Sequence, residues 1–371
     1  MKLSCLQENL ARGLSLVGRA VPARAAMPIW GTVLLATDHG QLKLAATNLE
    51  LSITHWVGAR VETEGAVAIP ARNFIDLMNS LTPDQVHLEL DPSSLTLNVQ
   101  SGGVKAQFRG LSPEDFPAIP ELEDLDGVSV SAQELRRGLN RVIFAAATDE
   151  THPVLMGVLA EFEGDRLTLV AGDGFRIAIE RVPLQAPISH PFNVIIPARA
   201  LAELMRILGG AEEPVTIGLS RHHNQAIFRL SATVLNAQLI DGTFPDYRRI
   251  IPTTQTTRVI VGREEWLQAC KRAAIFARDA ANMVRLTIAQ GEMVVTSSAT
   301  ESGEGLTRLE AVLDGAPLEI TFNVKYLTDV LSALDEPQVM LDLTSVKAPG
   351  VIRPLGDTGY LYVVMPMYLG R

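Results

Sequence analysis

The chain has 371 residues, of which 47% are hydrophobic and 20% are charged, and its formal net charge is −10. This length predicts two or three domains with a core each, and the composition argues against extensive disorder. No run of 18 apolar residues occurs, which argues against a membrane span. The two cysteines, Cys5 and Cys270, are too few for a disulfide framework or a cysteine-based metal site, so we expect reduced thiols.

We expect no targeting segment in the first residues. Residues 1–5 fit the start of a lipoprotein signal, but Glu8, Arg12 and Arg19 interrupt the apolar stretch that such a signal needs. We therefore expect a soluble, cytoplasmic protein. The negative net charge argues against indiscriminate binding of nucleic acid, although it does not report how the charge is distributed.

Two kinds of segment recur three times along the chain. Residues 67–78, 194–205 and 319–331 each read as a strand that leads into a helix, with offsets of 127 and 126 residues between matching apolar positions. Near the start of each third lies another helix with apolar residues at helical spacing. These first helices are predicted at residues 6–17, 132–144 and 264–276.

The stretches between the helices, such as residues 167–170 and 287–295, are rich in β-branched residues and read as strands. Each third then follows the order β-α-βββ twice. We predict an α+β fold with three successive domains of one fold, each with two helices packed against two antiparallel sheets. The predicted domains are residues 1–122, 127–252 and 257–371, with an acidic linker and a polar linker between them.

Positive charge is concentrated on the predicted helices. The first helices of the three thirds carry +1, +2 and +2 and the second helices 0, +1 and 0, so the helices carry +6 and the rest of the chain −16. Helices that face a phosphate backbone would produce this segregation, because attraction to phosphate does not depend on sequence. The alternative is that arginine and lysine simply favour helix surfaces.

Some residues fit other kinds of site less well. Gly172-Asp173-Gly174 follows a strand, but no parallel βαβ unit follows, as a dinucleotide site requires. His222 and His223 are adjacent, and on a strand they would point to opposite faces, so they favour loop surface over a metal site. A nucleotide-processing enzyme with Asp173 and Asp246 as metal ligands is an alternative, although both acids stand beside turn residues.

Four segments resemble one family along the whole chain. Residues 241–252 (DGTFPDYRRIIP), 362–367 (YVVMPM), 171–178 (AGDGFRIA) and Ala23-Arg24 with Met27-Pro28-Ile29 resemble the bacterial DNA polymerase III β subunit family. The resemblance implies a sliding clamp without catalytic activity or cofactor, which confers processivity on the replicative polymerase. It also implies a head-to-tail homodimer whose six domains close into a pseudo-sixfold ring, with helices lining the hole and sheets outside.

The ring is geometrically reasonable. Twelve helices, each about 10 Å across, give a diameter of about 38 Å between helix axes and an opening of roughly 28 Å, which admits a DNA duplex with a layer of water. Binding would then be topological, with mobile phosphate contacts that permit sliding.

The resemblance further implies a hydrophobic groove for linear peptides of the replicative polymerase α subunit, the clamp loader, translesion and repair polymerases and mismatch-repair proteins. The residues carried over to this groove are Leu155, Gly172, Gly174, Phe175, Arg176, Ile177, Pro245, Arg249, Ile250, Val363, Val364, Met365, Pro366 and Met367. Methionine adapts to varied peptides, and an apolar cleft with few polar anchors suits such a site. The alternatives are that Met365 and Met367 fill a core, or that the ring is purely structural and binds no peptides.

This sequence departs from the family pattern in and near the groove. Phe175 and Gly172 stand where the most familiar members carry His and Thr, and the tail of residues 368–371 differs from the usual end. The preferred peptide therefore does not follow from the resemblance.

The resemblance also implies contacts with DNA and between protomers. Arg24 matches a loop arginine that touches the duplex, and further candidates for the lining are Arg136, Arg137, Arg141, Arg199 and Arg206. At the protomer interface, an edge strand with Val104, Lys105 and Phe108 would meet Ile275 and Phe276 of the other protomer. The alternatives are a solvated arginine at position 24 and burial of Phe108 and Ile275 in a core.

Overall fold

A computed structural model describes residues 1–120, 127–299 and 303–368 of the chain. Residues 121–126 of the predicted acidic linker and residues 369–371 of the C-terminal tail lie outside this part. Within the described residues, each third contains eight strands and two α-helices, so the predicted order β-α-βββ, repeated twice per third, is confirmed.

The first third contains β1 (Lys2–Leu6), α1 (Gln7–Val17), β2 (Thr32–Asp38), β3 (Gln41–Thr47), β4 (Leu51–Thr63), β5 (Ala66–Pro70), α2 (Ala71–Ser80), β6 (Gln85–Asp91), β7 (Thr96–Ser101) and β8 (Val104–Arg109). The middle third contains β9 (Val128–Val130), α3 (Ala132–Val142), β10 (Gly157–Glu163), β11 (Arg166–Gly172), β12 (Arg176–Pro183), β13 (Phe192–Pro197), α4 (Ala198–Ile207), β14 (Val215–Leu219), β15 (Gln225–Leu230) and β16 (Thr233–Gln238). The last third contains β17 (Thr257–Gly262), α5 (Arg263–Ala277), β18 (Met283–Ala289), β19 (Glu292–Ala299), β20 (Gly303–Gly315), β21 (Leu318–Asn323), α6 (Val324–Ala333), β22 (Gln338–Leu343), β23 (Gly350–Pro354) and β24 (Leu361–Val364).

Two predicted elements differ in detail. The helix expected to reach residue 144 ends at Val142 and continues as a 3₁₀ turn, Ile143–Ala145. The stretch 287–295 is not one strand, because β18 and β19 meet in a hairpin at Gly291, whose φ of 83° lies in the left-handed region. Both differences are local and leave the order of elements unchanged.

The strands form two twelve-stranded antiparallel sheets, one in each of two compact units. Unit 1 comprises residues 1–133 and 203–239, and its sheet runs β8-β7-β6-β1-β4-β16-β15-β14-β9, with β3, β2 and β5 branching from β4. Unit 2 comprises residues 134–202 and 240–371, and its sheet runs β13-β10-β11-β12-β24-β23-β22-β17-β20-β19-β18-β21. The middle third contributes strands to both units.

Strand length explains why the middle third is divided. In the first third, β4 has 13 residues, so its start pairs with β3 and β16 while its end pairs with β1. Its counterpart in the last third, β20, also has 13 residues and likewise pairs with β19 and β17. The middle counterpart, β12, ends after 8 residues at Pro183, which has no backbone N–H to continue a ladder.

The first helix of a third lies close to its sheet where a glycine faces the strands. In unit 1, a Cβ built on Gly13 of α1 would lie 2.9 Å from a methyl group of Leu44. In unit 2, a Cβ on Gly138 of α3 would lie 2.5 Å from a methyl group of Val182. The absence of a side chain at these positions therefore sets the distance between helix and sheet.

A buried arginine in unit 2, Arg141, binds carboxylates from three other segments. The Arg141 side chain on α3 donates hydrogen bonds to Asp357 at 2.8 Å, to Glu180 at 3.4 Å and to Glu336 at short range. Its residue is 1% exposed. The prediction that Arg141 contacts DNA is therefore wrong, because its guanidinium is enclosed by three carboxylates and does not reach the surface.

The same network changes the acidity of one carboxyl group. Glu180 is buried, and burial raises its pKa from 4.5 to about 7 against the opposing effect of Arg141, while Asp357 nearby adds repulsion. The ion pairs stabilise the charged form of Arg141, because burying an unpaired guanidinium is strongly unfavourable.

In the part of the chain that the structure describes, no helix is long and apolar enough to span a membrane.

We expect Gly138→Ala to destabilise the protein by about 1–2 kcal/mol in chemical denaturation, because the overlap with Val182 outweighs the better helix propensity of alanine. Gly58→Ala is the control, since a Cβ built there meets nothing within 4 Å. Its effect should stay within about 0.5 kcal/mol. Equal stability of the two variants would contradict a sheet held against α3 by this contact.

We expect Glu180→Gln to gain stability relative to the parent chain as the pH rises. A carboxyl group whose pKa is higher in the folded than in the unfolded state stabilises the fold fully below the unfolded value and loses this contribution as the pH passes the folded value. For Glu180 the contribution is on the order of 3 kcal/mol and is lost between about pH 4.5, the unfolded pKa, and about pH 7, the folded pKa. Urea denaturation at several pH values measures it, with the exposed Glu163→Gln as control; parallel pH profiles for Glu180→Gln and the parent would contradict it.

Candidate peptide-binding and DNA-binding surfaces

In unit 2, the junction between β12 and β24 lies beside a pair of exposed apolar side chains. Arg176 and Ile177 of β12 face Val364 and Val363 of β24 in antiparallel register. Beyond the strand ends, the backbone N–H of Met365 donates to the carbonyl oxygen of Phe175 at 2.8 Å. The turn before β12 and the C-terminal segment after β24 therefore run side by side.

The turn before β12 has a conformation that displays Phe175. Asp173 accepts hydrogen bonds from the backbone N–H groups of Phe175 at 2.9 Å and Arg176 at 3.1 Å. Gly174 has a φ of 89°, which favours glycine, and a Cβ on Gly172 would lie 2.8 Å from the carbonyl oxygen of Arg176. The tight turn leaves Phe175 62% exposed.

The buried side chain of Arg176 stabilises this turn. Its guanidinium pairs with Asp173 at 3.0 Å and Asp329 at 2.6 Å and lies 4.3 Å from the ring centroid of Tyr326. Burial opposes the charged form, but the interactions with Tyr362 and Asp329 outweigh it and raise the pKa of Arg176. Arg176 is buried, so its charge is used within unit 2 to position Phe175.

An apolar surface continues from this turn across the sheet. The buried side chains of Leu159, Val170, Ile179, Ile195 and Tyr247 form a cluster that half-buried side chains flank, among them Val154, Ile177 and Phe244. Phe175, Ile250 and Met365 are exposed, the last two at 46% and 40%. Exposed apolar residues next to a half-buried apolar floor form a surface that a peptide side chain can cover.

The other residues predicted for the groove have different environments. Val363, Val364, Gly172 and Pro366 are buried, and Leu155 is half-buried in the 3₁₀ turn Pro153–Met156. Pro245 is exposed, and the exposed Arg249 pairs with Asp246 at 2.9 Å. Met367 is half-buried, and its N–H donates to the carbonyl oxygen of Thr321 at 2.8 Å. Val363 and Val364 thus supply packing and backbone, whereas Phe175, Ile250 and Met365 supply accessible surface.

Sequence reasoning missed four residues of this region. Val154 and Phe244 flank the apolar cluster, while Tyr326 and Asp329 of α6 hold Arg176. Val154 directly precedes Leu155, which was predicted for the groove, and Phe244 lies within the motif at 241–252. Both residues could therefore have been predicted from the sequence. Tyr326 and Asp329 lie about 150 residues from Arg176 in sequence, and no local pattern connects them.

The arginines predicted to face DNA are exposed apart from Arg141. Arg24 lies in an exposed loop of unit 1, and Arg136, Arg137, Arg199 and Arg206 are exposed on α3 and α4. Two of them have acidic neighbours on their own helix: Arg137 pairs with Glu134 at 2.8 Å, and Arg206 pairs closely with Glu203. Other cationic side chains are also exposed on the helices but were not predicted as DNA contacts; they are Arg12, Arg72, Lys271, Arg272 and Lys325.

The residues predicted for the protomer interface lie at surface positions in each unit. In unit 1, β8 is an edge strand with Val104 and Lys105 exposed, and the half-buried Phe108 packs edge-on against Phe74 with ring centroids 5.3 Å apart. In unit 2, Ile275 is 58% exposed and Phe276 is half-buried on α5. Ile275 is thus not a core residue, and Phe108 is only partly one.

The alternative sites have other structural explanations. Asp173 caps the turn before β12, and Asp246 pairs with Arg249. His222 and His223 lie in the exposed turn between β14 and β15, as predicted for loop surface. Among the residues that the structure describes, no group of three acidic, histidine or cysteine side chains is arranged to hold a metal ion.

Three family models together cover nearly all of the chain. They are the N-terminal, central and C-terminal domains of the DNA polymerase III beta subunit, and they match residues 1–120, 129–246 and 248–368. Among curated proteins, the chain is 36% identical to the beta sliding clamp of Synechococcus elongatus and 31% identical to that of Escherichia coli K12, with 100% of each chain covered.

Solved structures agree with these matches. The chain is similar to the DNA polymerase sliding clamp of Bacillus subtilis, with a TM-score of 0.95, 26% identity and 100% of each chain covered. It is also similar to the DNA polymerase III subunit beta of Pseudomonas aeruginosa, with a TM-score of 0.92, 29% identity and 99% of this chain and 100% of that chain covered. The chain therefore belongs to the DNA polymerase III beta subunit family, the beta sliding clamps, and is a non-catalytic processivity factor of DNA polymerase III.

Proposed function

We propose that two copies of this chain form a head-to-tail ring that encircles duplex DNA without reading its sequence. The observation that carries the proposal is the exposed arginine and lysine on the helices of a chain whose net charge is −10. Such a surface attracts the phosphate backbone, whereas the acidic remainder disfavours binding elsewhere on the protein. Arg24, Arg136, Arg137, Arg199 and Arg206 are the proposed contacts.

The proposed protomer interface uses β8 of one copy and α5 of the other. β8 pairs on one side with β7 and is an edge of its sheet in the described part of unit 1. An edge strand with exposed Val104 invites pairing with another chain, and exposed Ile275 supplies apolar surface for it. Lys105, Phe108 and Phe276 complete the proposed interface.

The proposed peptide groove has Phe175, Ile250 and Met365 as its accessible apolar contacts, with Ile177, Leu155, Pro245 and Met367 beside them. Arg176, Gly172, Gly174, Val363, Val364 and Pro366 support the surface through packing and backbone geometry, and Arg249 offers an exposed charge at its rim. Its proposed ligands are linear segments of the replicative polymerase α subunit, the clamp loader, translesion and repair polymerases and mismatch-repair proteins. Because these proposed partners act in the cytoplasm, we propose the same location for this protein.

Three domains, residues 1–122, 127–252 and 257–371, complete the proposal. The bounds of the three family models support it, since each lies within nine residues of the corresponding limit. The recurrence of β-α-βββ twice in each third supports it as well.

We expect the protein, once loaded by a clamp loader, to stay on circular DNA at high salt and to leave after the circle is cut. A closed ring is held by topology, whereas charge contacts weaken steeply with salt. Ile275→Asp places a charge in the proposed interface. It should therefore reduce the dimer fraction in analytical sedimentation and the fraction of protein that elutes with circular DNA in gel filtration. Equal loss from circular and cut DNA would contradict the ring.

We expect Phe175→Asp and Met365→Asp each to weaken binding of a polymerase tail peptide about 10- to 100-fold in isothermal titration calorimetry, because each puts a charge in an apolar contact. Leu355→Asp is the matched control, since Leu355 is exposed to a similar degree as Met365 and belongs to unit 2. Unchanged binding in both groove variants would contradict the proposed groove while leaving the ring proposal intact.

A further inference from the structure

Unit 2 contains a cavity of about 650 Å³ that shares Ile179 and Tyr247 with the apolar cluster, but whose charged lining none of the surfaces above uses. Four of the segments that line it contribute an arginine: β11 with Arg166, β12 with Arg181, the turn Tyr247–Ile250 with Arg248, and β23 with Arg353. The turn of Thr358 and Gly359 also lines it. Four arginines from separate segments therefore line one partly open cavity.

The four arginines are not equally neutralised. Arg166 lies 3.5 Å from Asp165, and Arg248 pairs with Glu161 at 2.7 Å. Within the described residues, Arg181 and Arg353 have no carboxylate within the 4.0 Å of an ion pair, and the buried Nε of Arg353 has no hydrogen-bond partner. Two of the four charges thus have no ion-pair partner in the described part of the chain.

Local structure fixes the position of Arg181. Its backbone N–H donates to the carbonyl oxygen of Gly359 at 3.2 Å, so β12 is held against the turn that closes one side of the cavity. Its guanidinium interacts electrostatically with the Tyr247 hydroxyl, which donates to Glu161 at 2.7 Å. Glu163 and Asp165 also line the cavity, so its charged lining consists of four arginines and two carboxylates.

We propose that this cavity binds a chain of phosphate groups, such as the polyphosphate of a nucleotide. The planar fork of arginine matches phosphate oxygens in pairs, and Thr168 and Thr358 add hydroxyl donors. The volume is in the range of small-molecule sites, about 300–1,000 Å³. An acidic peptide is the competing ligand, and the test below separates it from phosphate.

A matching cavity in unit 1 separates the contribution of the fold from that of these side chains. It measures about 430 Å³ and is lined by the corresponding strands β3 and β4, by residues 119–120, and by residues 229–234. There, Trp56 occupies the place of Arg181 in the repeat; it donates to Asp38 at 2.7 Å and lies under Lys43. The fold thus produces a cavity at both positions, but the excess of arginine belongs to unit 2.

The test is isothermal titration calorimetry of the full-length protein with inorganic tripolyphosphate and, separately, with adenosine triphosphate. Binding of either probe, weakened at least tenfold in Arg181→Gln/Arg353→Gln, supports the proposal. Comparison of the two probes tells whether the phosphates alone are bound or a base as well. Arg285→Gln, an exposed arginine paired with Glu319 outside the cavity, is the control and should bind like the parent.

Two results would overturn the proposal. One is the absence of binding, or binding that the double variant retains although thermal unfolding finds it folded. The other is binding of an oligo-aspartate peptide at this cavity without binding of tripolyphosphate, which would assign the cavity to acidic peptides. Arg181→Lys/Arg353→Lys separates charge from geometry, since it keeps the charge and removes the fork, and weaker binding is expected. The experiments on DNA retention and on peptide binding test other surfaces of the protein. Their failure can therefore be distinguished from the failure of this proposal.

Discussion

Pairing of strands between different thirds of the chain is the interaction on which the rest of the structure depends. In unit 1, β4 of the first third pairs with β16 of the middle third, and in unit 2, β12 of the middle third pairs with β24 of the last. These backbone hydrogen bonds join small sheets into two sheets of twelve strands. The second junction also positions the proposed peptide groove, because the turn that displays Phe175 and the segment that carries Met365 are the direct continuations of β12 and β24.

Charge is used in two separate ways around these sheets. On the helix surfaces arginines are exposed, where they can meet phosphate, whereas Arg141 and Arg176 are buried and bind carboxylates from distant parts of unit 2. A buried arginine fixes geometry because any displacement would leave charges without partners. The proposed peptide groove thus depends on an internal ion pair, Arg176 with Asp329, more than on a charge offered to the ligand.

Periodicity and repetition predicted the elements well, because helix and strand patterns are local and each third supplies the pattern again. The pairing of β4 with β16 could not be predicted from them, since it joins residues about 180 positions apart that carry no mutual signal. Arg141 illustrates the same limit. It stands between Leu139 and Val142, both buried, but only Glu180, Glu336 and Asp357 make its burial possible, and they come from other segments. The groove residues came from family motifs, and Tyr326 was missed because it acts through Arg176.

The separation in sequence between paired strands has a consequence for synthesis on the ribosome. Thr54 pairs with Val234, and Ile179 pairs with Leu361, so each junction waits for about 180 further residues. At typical translation rates this takes roughly 10–40 s, during which the edges of β4 and β12 lack their later partners. Nascent chains on neighbouring ribosomes offer the same edges, and the correct partner on the same chain arrives last. Newly made protein is therefore most exposed to mispairing between chains at these two strands, before either junction has closed.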